Sequence, residues 1–135
     1  MRGLVMLAIA AALAAAGCGS DTPTTPTTPS IPVTTDTFPG TLTPNSGRTH
    51  LFITARSGSI TATLTSLGPD SGLTVGLALG TWNGNACAIQ LAKDNAVQSS
   101  VLIGASSAAG SLCVRIYDIG TLTDPVDYSI EVKHP

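Results

Sequence analysis

This 135-residue chain has three cysteines, whose thiols could form covalent bonds. Cys18 ends an alanine-rich run, whereas Cys87 and Cys113 lie in the later, Thr- and Gly-rich part. In an exported domain two cysteines favour one disulfide, which would stabilise this fold by about 3 kcal/mol. Two free thiols or half of a metal site are the alternatives. Because Cys113 alternates with Leu112 and Val114, the bond is expected on an outer face or at a sheet edge.

Acidic side chains could supply a cation site, and one tryptophan could contact a ligand. Asp118, Asp124 and Asp127 share one predicted loop, and carboxylate oxygens are the ligands that Ca²⁺ prefers. Solvated turn aspartates are the favoured interpretation, so no cofactor is predicted and calcium is the alternative. Trp82 lies in or near a loop beside Asn83. It could stack on a sugar or anchor a protein partner, but folding over the core edge is favoured.

The two histidines give no sign of a catalytic site. His50 begins an apolar run and is expected to be a partly exposed sheet residue, while His134 is expected to fray near the end of the sequence. The chain contains no G-x-S-x-G, H-E-x-x-H or phosphate-loop motif. We therefore predict that the chain is not an enzyme, and a hydrolase using His50 is the remote alternative.

Charge argues against nucleic acid as a partner. The chain has six Lys and Arg residues and eight Asp and Glu residues, so its formal net charge is -2. The cations are scattered along the chain, whereas phosphate binding needs them clustered.

The first 17 residues have the organisation of a signal peptide. An apolar run over residues 3–16 follows Arg2 and is shorter than the roughly 20 residues that cross a bilayer as a helix. Small residues then precede Cys18, as they do at a cleavage site. An ordinary secretory signal with an incidental Cys18 is one interpretation of this arrangement.

The stretch AAGC, residues 15–18, resembles the lipobox of bacterial lipoproteins, although Ala15 stands where leucine is most common. The resemblance implies cleavage after residue 17 and acylation of Cys18 with palmitate-type chains. Such chains contribute about 0.8 kcal/mol per buried CH₂ and would anchor the protein to a membrane. Gly19 in the next position, where aspartate would retain the protein at the inner membrane, implies the outer membrane.

Residues 18–35 are expected to be a disordered linker. Prolines recur every third residue from Pro23 to Pro32, which matches the three-residue turn of polyproline II. Such a segment buries no core and acts as a semi-rigid spacer of about 3.1 Å per residue.

Residues 36–135 alternate between apolar and polar positions, as half-buried strands do. Turn residues separate the apolar runs, and no segment has a helical period. We predict an all-β domain, an antiparallel β-sandwich of jelly-roll or Ig-like type with seven to eight strands. The predicted apolar runs are 49–54, 59–65, 73–79, 86–91, 101–103, 112–117 and 128–132. The predicted large rings of the core are Phe38, Phe52, Trp82, Tyr117 and Tyr128.

Three segments of this domain together resemble the bacterial pre-peptidase C-terminal domain. They read FPGTLTPNSGRTHLFITARSGSITATLTSL, LTVGLALGTWNGNAC and GSLCVRIYDIGTLTDPVDYSIEVKHP, and the match covers roughly residues 37–133. The resemblance implies a β-sandwich with a binding or accessory role. The expected function is a membrane-anchored module that recognises a polymer or protein of the cell envelope. A passive structural surface lipoprotein is the alternative, and a calcium-dependent collagen-type binder is a further one.

Overall fold

The protein is described by a computed structural model that covers Gly17, Gly19 and residues 22–135. Cys18 and residues 1–16 of the predicted signal peptide lie outside the described residues. Strands are the only regular elements in the described part, and none of its segments is a helix that could span a membrane. The eight strands are β1 (Thr34–Leu42), β2 (Gly47–Thr54), β3 (Gly58–Gly68), β4 (Val75–Trp82), β5 (Cys87–Ala96), β6 (Val101–Ser106), β7 (Gly110–Tyr117) and β8 (Val126–His134).

The strands form two antiparallel sheets of four, which confirms the predicted all-β sandwich. The first sheet has the order β1-β8-β3-β6 and the second the order β2-β7-β4-β5. Only β4 and β5 are consecutive neighbours within a sheet, because every other connection crosses to the opposite sheet. This order is that of an eight-stranded jelly roll with two interleaved Greek keys, and it differs from the Ig arrangement.

Alternation along the central strands builds the core between the sheets. In β3, Ala62 and Leu64 are fully buried, whereas the alternating residues Thr61 and Thr63 face outwards. Ile130 and Val132 of β8 pair with these two residues, so side chains from neighbouring strands meet on the inner face. All eight strands and all residues of the core cluster lie within residues 34–135, so this segment contains a complete hydrophobic core.

β1 is the strand that none of the predicted apolar runs included. It begins at Thr34, two residues before the predicted domain boundary, and contains Pro39 and Gly40 in its interior. Proline cannot donate a ladder hydrogen bond and is tolerated on an edge strand, which is the position of β1. Gly40 lies beneath the phenol of Tyr128, where an added Cβ would come within 2.5 Å of the hydroxyl oxygen.

Three expectations about packing were wrong. Tyr117 and Trp82 are not core rings: both are half-buried and lie outside the core cluster. The run over residues 86–91 belongs to an edge strand, so Ile89 and Leu91 are exposed. His134 does not fray, because it is buried in β8 and its Nε2 lies 3.0 Å from an Asp36 carboxylate oxygen.

Residues 22–33 precede the sandwich without regular structure and are exposed throughout. This segment includes the Thr-Pro repeat, and Ile31 and Val33 are exposed with the rest of it. The chain enters β1 directly after this segment.

Candidate binding surface

Over residues 76–80, β4 presents only very small residues to the outer face of the second sheet. Its inward side chains, among them Leu77 and Leu79, belong to the core. The alternating outward positions are Gly76, Ala78 and Gly80, and all three are buried. We call this outward row the β4 trough, because larger side chains of β7 and β5 stand on either side of it.

Tyr117 of β7 covers the trough at Gly76. An added Cβ at Gly76 would overlap the phenol ring, so only glycine allows the ring to lie against β4. The Tyr117 hydroxyl donates a hydrogen bond to Asp94 of β5. Burial, and then this hydrogen bond, raise the pKa of Tyr117 to about 12. The phenol therefore stays protonated and ties β7 to β5 across the trough.

The disulfide covers the trough at Gly80. An added Cβ at Gly80 would overlap the backbone carbonyl of Ala88, because the β4–β5 register shifts at this point and β5 crosses close over β4. Cys87 of β5 and Cys113 of β7 are consequently joined with a Cα–Cα distance of 5.9 Å. Two strands separated by a third normally lie about 9 to 10 Å apart. The glycine thus permits the close approach that the disulfide needs.

The position of this disulfide agrees with the alternation of β7. Cys113 pairs with Leu51 on β2 and with Gly80 on β4, and it does not belong to the core cluster. It is nevertheless 0% exposed, since Cys87 and the β5 backbone lie over it. The bond is therefore on an outer face, as expected, with Cys113 buried and Cys87 half-buried.

Between Tyr117 and the disulfide, Arg115 lies beside the trough at Ala78, which is itself 0% exposed. Arg115 pairs with Ala78, and both line an open cavity of about 530 Å³. The Arg115 Nη1 donates to Thr49 Oγ1 at 3.2 Å. Among the described residues no carboxylate lies within ion-pair distance of this half-buried guanidinium. Most of its five donors are therefore left for an acceptor from outside the chain.

Asp118 lies at the rim of the cavity, and both of its carboxylate oxygens accept hydrogen bonds from backbone N–H groups. Its Oδ2 accepts from the Asn45 N–H at 2.8 Å, and its Oδ1 accepts from the N–H groups of Gly120, Thr121 and Leu122. These bonds, that of Asn45 first, hold the pKa of Asp118 below its usual value. Asp118 thus holds two loops together.

The three aspartates considered for calcium are held by different partners. Asp127 accepts from Thr41 Oγ1 at 2.7 Å, and Asp124 accepts from Thr123 Oγ1 at 3.2 Å. Within the part of the chain that the structure describes, no three His, Cys, Asp or Glu side chains are grouped to hold a metal ion.

Exposed apolar side chains continue the surface away from the cavity. Leu51 and Ile53 of β2 are 46% and 71% exposed, and Ile89 of β5 is 44% exposed. The cross-strand pairs place Leu51, Cys113, Gly80 and Ile89 in one row across all four strands of the sheet. The surface thus combines one free guanidinium with an apolar row, a common composition of protein recognition surfaces.

Trp82 lies at the end of β4, next to this surface. It pairs with Cys87 and lines a separate polar cleft of about 550 Å³ together with the β6–β7 connection. Trp82 is half-buried and presents part of its side chain to the cleft. The interpretation that Trp82 contacts a ligand remains a prediction.

His50 faces the interior of the sandwich and is remote from the trough. Its ring stacks on Phe38 with centroids 5.0 Å apart, and its Nε2 is hydrogen bonded to the Tyr128 hydroxyl at 2.7 Å. Burial, and then the nearby Arg48, lower the pKa of His50. No histidine in the described residues is hydrogen bonded to a serine or cysteine.

His50 should make the fold less stable in mild acid. Because its pKa is lowered on folding, its contribution to stability is present above the unfolded value of 6.5 and is lost as pH falls through the folded value. The measurement is urea denaturation of residues 22–135 at about pH 7.5 and about pH 5.5, for wild type and His50→Gln. We expect the variant to lose less stability between the two pH values. Equal losses would contradict this assignment, since His134 is present in both proteins.

Sequence reasoning did not find Arg115 and Tyr117 as site residues. The sequence did contain a signal for them. Both residues alternate with core residues of β7 and therefore lie on the outward side with Cys113. The Gly-Ala-Gly alternation in β4 was a second signal, but its meaning depends on which strands lie beside it.

Comparison with known proteins does not extend this description: no family model matches the chain, and no curated protein matches it. The fold defines the class of the described part as an eight-stranded jelly-roll sandwich. The lipoprotein and pre-peptidase C-terminal resemblances stay predictions.

Proposed function

We propose that the chain is a lipid-anchored, non-catalytic binding module of the bacterial cell envelope, held at the outer membrane through Cys18. The module recognises a polymer or protein through the outer face of the second sheet. The Thr-Pro segment before β1 serves as the spacer between lipid and domain. Fully extended as polyproline II, residues 18–33 would reach on the order of 50 Å.

Arg115 is the observation that carries the binding role. The described residues supply the Arg115 guanidinium with only one hydroxyl at 3.2 Å, and its remaining donors face solvent. The side chain is held in place by the sheet and borders an open cavity. Such a pre-positioned donor set suits a ligand that offers carboxylate, sulfate or sugar oxygens.

Two further features favour binding over catalysis. The hydroxyl of Tyr117 has a raised pKa and the Asp118 carboxylate is saturated by backbone donors, so neither is suited to move a proton at neutral pH. His50 is engaged by Tyr128 on the opposite side of the sheet. The groups around the cavity therefore favour recognition without a reaction.

Binding can be tested with residues 22–135, which contain the complete core. The immobilised domain is offered peptidoglycan, lipopolysaccharide and collagen separately, with and without calcium. We expect at least one of them to be retained, and Arg115→Gln to weaken that binding by about tenfold, the loss of one charge-assisted contact of about 1.4 kcal/mol.

Lys133→Gln is the matched control, because it also removes one positive charge but from the outer face of the first sheet. Its binding should equal that of wild type. If none of the three materials is retained, or if both variants weaken binding equally, the trough is not the recognition site. The alternative of a passive structural lipoprotein would then be favoured. Retention only in the presence of calcium would favour the calcium-dependent alternative.

A further inference from the structure

The four sheet edges of the sandwich are protected to very different degrees. β1 and β6 are the edges of the first sheet, and β2 and β5 are the edges of the second. An exposed strand edge offers free backbone donors and acceptors, so native proteins protect edges with charges, prolines or bulges.

Three edges carry such protection. β1 contains Pro39 and Asp36. β2 contains Arg48, whose Nε donates to the backbone carbonyl of Thr41. β5 contains Lys93 and pairs with β4 through two register shifts.

β6 carries none of these devices. Its sequence is VLIGAS, and residues 95–114 include no charged residue and no proline. It pairs with β3 over residues 58–63 without a register shift, so it is a regular strand. Its outer edge can therefore accept another strand.

The outward side chains of β6 are also apolar. Val101 and Ile103 pair with the outward threonines Thr63 and Thr61, and they are 44% and 65% exposed. On a strand edge, two exposed β-branched residues at alternate positions form the type of cross-strand contact that stabilises sheet pairing.

We infer that β6 pairs antiparallel with β6 of a second copy of this chain, joining the two first sheets into one eight-stranded sheet. A strand can pair with itself about a two-fold axis, which makes the contact isologous and closed. With the axis at Leu102, Val101 of each copy lies opposite Ile103 of the other, and the four side chains share the outer face. The absence of charge over residues 95–114 means that no like charges meet across the axis.

The occupant is a second copy because an edge without charge brings no like charges together when it pairs with itself. A partner with a charged edge strand would leave its charges opposite apolar side chains. The contact is small: a stable interface buries about 1,600 Å² in total, and two six-residue strands cover only part of that. We therefore expect a weak dimer whose population rises with concentration. The contact lies on the sheet opposite to the trough, so it is independent of the proposed ligand binding.

Sedimentation velocity of residues 22–135 over a series of protein concentrations tests this pairing. The sedimentation coefficient of wild type should rise from the monomer towards the dimer value. Ile103→Lys places two ammonium groups near each other across the axis and should remain monomeric at every concentration. Val101→Lys should have the same effect, and either variant suffices if its urea denaturation midpoint matches that of wild type.

Ile53→Lys is the matched control. Ile53 is 71% exposed on the edge strand β2 of the other sheet, so the substitution removes a similar apolar surface from a different edge. This variant should associate as wild type does. A wild-type domain that stays monomeric over the whole series would overturn the inference. So would a dimer that persists in both lysine variants of β6, or one that Ile53→Lys abolishes.

Discussion

Removal of the Cys87–Cys113 disulfide should lower the free energy of unfolding by about 3 to 4 kcal/mol. The bond joins residues 26 apart, and a cross-link of that span restricts the unfolded chain strongly. It also fastens an edge strand: β5 has only β4 as a sheet neighbour, and the disulfide ties it to β7. A loss of this size is a large part of the stability of a small domain.

The measurement is urea denaturation of residues 22–135 as the oxidised wild type, the reduced wild type and the double variant Cys87→Ala, Cys113→Ala. The double variant is the control for reductant, because it should unfold at the same urea concentration with and without it. We expect the reduced wild type and the double variant to be similarly destabilised. Equal stability of oxidised and reduced wild type would contradict the prediction. Hydrogen exchange should show the earliest loss of protection in β5.

Substitution of Cys18 by alanine should release the full-length protein from the membrane fraction. The proposed anchor depends on the Cys18 sulfur, and two or more acyl chains at about 0.8 kcal/mol per CH₂ give stable attachment. Removal of the thiol takes away all of this energy.

The experiment follows the full-length chain in a bacterial host by fractionation, alkaline washing and labelling with a palmitate analogue. Wild type should remain with the membranes and carry the label, and Cys18→Ala should do neither. The double variant Cys87→Ala, Cys113→Ala retains Cys18 and should behave as wild type, which separates the anchor from the other thiols. Mass spectrometry that finds an unmodified sulfur at Cys18 would refute the anchor and favour an ordinary secretory signal.

The two surfaces of the sandwich have different physical characters, and this affects how the proposals can be separated. The trough is a recessed region whose single cation is fixed by neighbouring strands. The β6 edge is uncharged and exposes backbone and β-branched side chains. Arg115→Gln should therefore leave self-association unchanged, and Ile103→Lys should leave ligand binding unchanged.

The amino-acid sequence by itself determined the all-β class and the inward faces of the central strands. Threonine alternates with Ile60, Ala62 and Leu64, and such period-two burial is a local property of the chain. The same alternation in β7 placed Cys113 on the outward side. Local patterning is sufficient here because a half-buried strand requires it wherever the strand lies in a sheet.

Only the tertiary structure decided which strands are edges and which residues become neighbours. The sequence around Pro39 and Gly40 does not by itself predict a strand. β1 tolerates the proline because it is an edge strand, and the glycine because Tyr128 lies against it. Ile89 has the same chemistry as a core residue but is exposed, since β5 has no sheet covering its outer side.

The candidate site depends on tertiary structure even more strongly. Arg115 and Ala78 are 37 positions apart in the numbering and become neighbours only through the β4–β7 pairing. Strand order, register and the close crossing of β5 at Gly80 are set by packing between distant segments. A periodic pattern within one segment holds no information on these contacts, and that is the physical reason the sequence left the candidate surface undetermined.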